Sequence, residues 1–167
     1  MSGAGDDGDG VGAGDPLADQ ILFTSRLLPV HKPELERLLF FNENQARVVD
    51  GVAHVAQRYG IPRIRVDGEQ LRVVLATGLE PQALYVVARG ELGDDPVGVM
   101  IYIREDDRLI ALFVAVHEEW SARGSRGDAM IAVKLVDELK AIARRVRGVS
   151  AVEVYLGRRT PARLRVR

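Results

Sequence analysis

The segment Leu109–Gly148, LIALFVAVHEEWSARGSRGDAMIAVKLVDELKAIARRVRG, limits the folds open to this chain more than any other. Leu109–Val116 is an apolar run of β-branched and aromatic residues, of the length of a buried strand. Arg123-Gly124-Ser125-Arg126-Gly127-Asp128 reads as a glycine-bearing loop. From near Asp128 the spacing predicts a helix that stops at Gly148. Ala132, Val133, Leu135, Val136, Leu139, Ile142, Ala143 and Val146 form its apolar face, and Lys134, Asp137, Glu138, Lys140, Arg144, Arg145 and Arg147 its polar one. The arginines of the last turn suit the negative end of the helix dipole, and Gly148 suits a left-handed C′ position.

A strand, a glycine loop and a helix start in succession can hold an anion. Gly124 and Gly127 have no Cβ to block a close backbone approach. The first amides of a helix lack intrahelical partners and sit at its positive end. Arg123 and Arg126 add charge, so the expected guest is a phosphate or pyrophosphate. The same residues also fit an ordinary strand-to-helix connection whose arginines are merely solvated, because glycine loops are a weak signal.

The length of 167 residues predicts one domain, and an apolar fraction of 47% supplies its core. A formal net charge of −1 gives no global case for nucleic acid as a partner. There is no cysteine, which excludes disulfides, thiolate nucleophiles and cysteine metal sites and fits a reducing, cytoplasmic compartment. No apolar run reaches the roughly 18 residues of a membrane span. The start of the chain has neither the basic nor the apolar region of a signal peptide. Met1–Asp19 alternates glycine with aspartate and reads as a disordered acidic tail, unable to bury enough apolar surface to offset its ordering entropy.

Ile21–Leu28 is a first strand ended by Pro29. A helix runs from Pro33 to about Asn42, with proline and acids in its first turn. A second helix covers Ala46–Arg58, and Gly60 and Pro62 end it; His54 within it reads as an ordinary half-buried residue rather than a ligand. Asp67 with Gln70 resembles a capping box, and Gly78 suits a C′ position, so Glu69–Thr77 is expected to be a short helix, with Val73 and Val74 keeping a strand open as the alternative. Gln82–Glu91, Val97–Arg104 and Leu109–Val116 are linked by the turns Leu92–Pro96 and Glu105–Asp107, which predicts an antiparallel meander. Ser150–Leu156 is a strand parallel to Leu109–Val116, since a helix crossover joins them. The last segment, Gly157–Arg167, carries five arginines and no acid. A frayed basic tail explains it better than phosphate-backbone binding, because it has no aromatic partners for stacking.

This order resembles the GCN5-related N-acetyltransferase (GNAT) superfamily over roughly Glu69–Leu156. EQLRVVLATGLEPQALYVVARGELGDDPVGVMIYI is similar to the family's helix, hairpin and following strand, with Gly98 at its habitual Pro-Val-Gly step. ALFVAV is similar to the central strand, and VSAVEVYL to the strand after the helix. Gly124-Ser125-Arg126-Gly127-Asp128-Ala129 resembles the acetyl-CoA loop, with Gly127 and Ala129 on pattern and Gly124 where glutamine or arginine is usual.

The resemblance implies an α+β fold: a mixed sheet with helices on both faces, in which an antiparallel meander is followed by a β-α-β crossover. It implies acetyl-CoA or another acyl-CoA as donor and an amine, small molecule or protein, as acceptor. The pantetheine arm would pair with the central strand at Val114 and Val116, and the pyrophosphate would lie on Arg123, Gly124, Ser125, Arg126, Gly127, Asp128 and Ala129. Glu118 or Glu119, then His117, would take the proton of the attacking amine, and Trp120 would line the acceptor pocket or cap the edge of the core. An acidic strand end of this kind is also commonly just solvated. The family usually continues with a loop, a further helix that often carries a tyrosine acid, and two more strands, whereas this sequence stops soon after Arg159–Leu164. Tyr155 is not at that tyrosine's usual place. An inactive GNAT-fold protein serving as an interaction module is therefore the alternative, and an exposed sheet edge invites a homodimer.

Overall fold

The β-branched runs build the centre of a sheet, and the periodic segments cover it. The computed structural model describes residues 20–42, 49–90 and 93–166, with Val49 described by its backbone. The acidic segment 1–19, the start of the second expected helix and part of the turn before Pro96 lie outside these residues. In chain order come β1 (Ile21–Thr24), α1 (Lys32–Phe40), α2 (Val49–Tyr59), β2 (Pro62–Asp67), β3 (Gln70–Leu75), β4 (Gln82–Gly90), β5 (Gly93–Glu105), β6 (Arg108–Val116), α3 (Ile131–Arg145), β7 (Ala151–Val154) and β8 (Ala162–Arg165). A six-stranded sheet has the order β1-β4-β5-β6-β7-β8, and β2 and β3 form a separate two-stranded ribbon. The β6–β7 pair is parallel and the other pairs are antiparallel. This is a mixed, mostly antiparallel α+β architecture with the expected meander and crossover.

Two apolar layers hold the sheet. On one face Leu35, Leu38 and Leu39 of α1, Val55 and Tyr59 of α2 and the inner side of the ribbon pack against Tyr85, Val99, Ile101 and Ile110. On the other face α3 packs against Leu84, Val86, Met100, Ala111 and Val152. Its buried residues Ile131, Leu135, Leu139 and Ala143 recur every fourth position, as the sequence period requires. Full burial of each leucine is worth about 1.5–3 kcal/mol.

The expected helix Glu69–Thr77 is not formed: Gln70–Leu75 is strand β3 of the ribbon, with turns on either side. Leu71, Val73 and Leu75 point inward in strict alternation, and β-branched side chains pack well on such a surface. The apparent capping box is a hairpin: Asp67 and Gln70 face each other across Gly68-Glu69, and Gly68 has the positive φ of 61° that the first turn position demands. Gly78, at φ 84°, turns the chain after β3. β1 stops four residues before the expected Leu28. The Thr24 hydroxyl exchanges hydrogen bonds with the backbone of Arg26, which turns the chain, and the Leu27 carbonyl instead accepts from the Leu71 N–H at 2.8 Å. The basic segment is in part a strand: β8 lies on β7, and Arg163 reaches the buried Glu153 at 3.8 Å, which Arg108 also binds at 3.0 Å. Among the described residues no helix is long and apolar enough to cross a membrane.

Candidate functional site: a strand splay and a charged cleft

β6 and β7 run together only from Arg108–Ala151 to Ala111–Val154, with one more bond from the Tyr155 N–H to the Ala111 carbonyl at 3.0 Å. Beyond it the strands part. The separation coincides with a β-bulge. Ile101 faces Phe113 and Tyr102 faces Ala111, so Leu112 is an extra residue in β6. The bulge puts consecutive residues, Leu112 and Phe113, on the α1–α2 face, and the normal alternation then resumes with Val114 and Val116 on the α3 face. It also reverses which backbone groups look towards β7. The Val116 carbonyl accepts a hydrogen bond from the Asn42 side-chain amide at 2.5 Å, and Val114, two residues back, presents its backbone to the same side.

The splay opens an apolar cavity of about 240 Å³. Leu112–Val116 line one side, Tyr155–Gly157 the other, Val52 and Val55 of α2 the roof, and Ala132 of α3 the end. Gly51 lies so close to the Gly157 backbone that a Cβ there would come within 2.2 Å of the Gly157 carbonyl carbon. Next to the wall residue Tyr155, burial pushes the Tyr59 phenol above its ordinary pKa; Arg58 pulls it down, and Glu105 and the Tyr155 hydroxyl raise it.

The connection from β6 to α3 differs from the expected open loop. Glu118–Trp120 and Gly127–Ala129 each form a 3₁₀ turn, and Met130 takes a left-handed conformation at φ 50° before α3 starts at Ile131. The helix thus begins three residues after the expected Asp128, because the left-handed residue interrupts the backbone path. The Gly124 N–H donates to the Ser121 carbonyl at 2.8 Å, and Arg126 N–H donates to the Glu119 carbonyl at 2.7 Å. Gly127 N–H donates to Gly124, Ala129 to Arg126 and Met130 to Gly127, each at 3.2 Å. The amides are thus turned onto the loop's own carbonyls. A Cβ at Gly124 would stand 2.2 Å from the Glu118 carbonyl oxygen, and one at Gly127 2.6 Å from that of Ser121. The close approach these glycines permit is of chain on chain.

A second, larger space of about 810 Å³ lies at the same end of the sheet, between α1, the β4–β5 ends and the turn after β6. His117, Glu118, Glu119 and Trp120 line it, and so does Arg126, whose guanidinium stacks over the Trp120 ring at 4.9 Å. The His117 N–H donates to the Val97 carbonyl at 2.8 Å, and its Nδ1 accepts from the Glu119 N–H at 3.2 Å, which fixes the imidazole over the turn. Trp120 is buried in the α3-side core and also forms part of the cleft wall. Asn42, 8% exposed, lines both spaces.

The expected site residues therefore fall into separate groups. Val114 and Val116 line the splay cavity; His117, Glu118, Glu119 and Arg126 line the cleft. Arg123, Ser125 and Asp128 are exposed and line neither, Gly124 and Gly127 pack against residues 118–122, and Ala129 is buried in the core. Asn42, Arg37 and Arg89 were not singled out by sequence; a polar residue just past a helix end and two lone arginines give no motif to find them by. The chain matches no family model, no curated protein and no solved structure.

Proposed function

We propose that this chain is a GNAT-like acyltransferase that moves an acetyl or other acyl group from CoA to an amine. One observation carries the reading: β6 and β7 part at a bulge in β6 and leave an apolar slot, open along strand backbone, beside the start of the crossover helix. An extended amide-bearing arm can lie in such a slot as an added strand would, with Val114 and Val116 as its backbone partners. Acyl-CoA supplies the thioester. Glu118 or Glu119, on the cleft side, takes a proton from the acceptor ammonium, with His117 next in line. The freed amine nitrogen bonds to the thioester carbonyl carbon, the carbon–sulfur bond breaks with its electron pair leaving on sulfur, the nitrogen gives its second proton to solvent, and sulfur takes one from solvent. A β6 backbone N–H polarises the carbonyl. The pyrophosphate falls to the unpaired first-turn amides of α3, while Gly124–Ala129 shapes their approach.

A second reading, an inactive GNAT-fold interaction module, is favoured by the loop amides being engaged with one another. Calorimetry with acetyl-CoA separates the two. Binding in the micromolar range supports the transferase; no heat with ligand at millimolar concentration leaves the module as the reading to pursue.

A further inference from the structure

The large cleft carries more charge than proton removal requires. Opposite the turn that bears Glu118 and Glu119, Arg37 projects from α1 and Arg89 from the end of β4 into the same space. Both are exposed, and among the described residues no hydrogen bond or ion pair engages either guanidinium. Glu34, one turn before Arg37, and Asp95, which faces Ala88 across the β4–β5 ladder, line the cleft as well, yet neither comes within ion-pair distance of them. Arg126 is different: it is stacked on Trp120. The volume, about 810 Å³, is in the range of small-molecule sites.

An alkylamine acceptor would be served by carboxylates and apolar walls alone. Unengaged guanidinium groups beside them suit a planar anion, since arginine presents paired N–H donors that match a carboxylate. We propose that the acceptor is a zwitterion, an amine whose own carboxylate lies a few bonds from the nitrogen, as in an amino acid. Arg37 and Arg89 hold the carboxylate, and the Glu118–Glu119 turn receives the ammonium. This inference rests on the transferase reading for what happens to the amine, but binding of the zwitterion does not depend on it.

The test is calorimetry of the full chain with each of the twenty common amino acids and with the corresponding amino-acid amides, with and without CoA, followed by acetyl-CoA turnover read as thiol release. At least one amino acid is expected to bind, and its amide about tenfold more weakly or worse. Arg37→Gln and Arg89→Gln should each erase that difference while CoA affinity stays unchanged. Amides bound as well as acids, no amino acid bound at all, or CoA affinity falling in these variants would each overturn the inference. CoA binding without amino-acid binding removes this inference and keeps the transferase. Amino-acid binding without CoA binding keeps the zwitterion site and removes the transferase.

Discussion

A methyl group at Gly124 has no room. It would stand 2.2 Å from one carbonyl oxygen and 2.3 Å from the next, both backbone and so unable to swing aside. Gly124→Ala is expected to lower stability by about 1–3 kcal/mol, the cost of overpacking a closed site. Urea unfolding reads this as a fall in the midpoint at unchanged slope, and a variant as stable as the parent would contradict the packing described. The glycines were legible from the sequence as points of close approach. What approaches them was not, because the partner is backbone brought back by the 3₁₀ turn at Glu118–Trp120, and backbone carbonyls carry no residue type to read.

At the level of elements, the N-terminus of α3 carries a local cost. Met130 is left-handed, more than half exposed, and has no side-chain cap to compensate. For a residue with a Cβ that conformation costs about 1–2 kcal/mol, part of which glycine would return as unfolded-state entropy. Met130→Gly is therefore expected to stabilise by about 0.5–1 kcal/mol and to raise Tm by about 1–4 °C; an unchanged or lower melting point would contradict it. The body of α3 was readable because Leu135, Leu139 and Ala143 repeat with the helical period, although at its start Ile131 is buried while the expected Ala132 and Val133 are exposed; β4, β5 and β6 were readable from their β-branched runs. Its first turn was not, since Asp128 mimics an N-cap while the backbone turns elsewhere. The ribbon failed for a similar reason. Asp67 and Gln70 satisfy a capping-box spacing and a two-residue hairpin spacing equally, and only the alternation of Leu71, Val73 and Leu75 separates them.

Across the whole molecule, the apolar slot and the charged cleft meet at Asn42, the one wall residue they share among the described residues. Asn42 comes from the end of α1, is almost fully buried, and holds the last carbonyl of β6. Asn42→Ala is expected to cost about 1–2 kcal/mol of stability, the price of an unpaired carbonyl. It is also expected to weaken ligands in both spaces, which calorimetry of donor and acceptor on the same variant would show; a loss confined to one space would mean that the wall is not shared in function. No sequence pattern announces such a residue, because its importance lies in the junction it occupies. The bulge at Leu112 has a historical consequence. One residue more than β5 supplies is what sets the faces of Phe113, Val114, Ala115 and Val116. Any ancestor or descendant could exchange one aliphatic side chain for another along this strand and keep the slot, but losing or gaining a single codon there would turn four side chains over at once. Selection on this strand therefore acts first on its length, and only then on its letters.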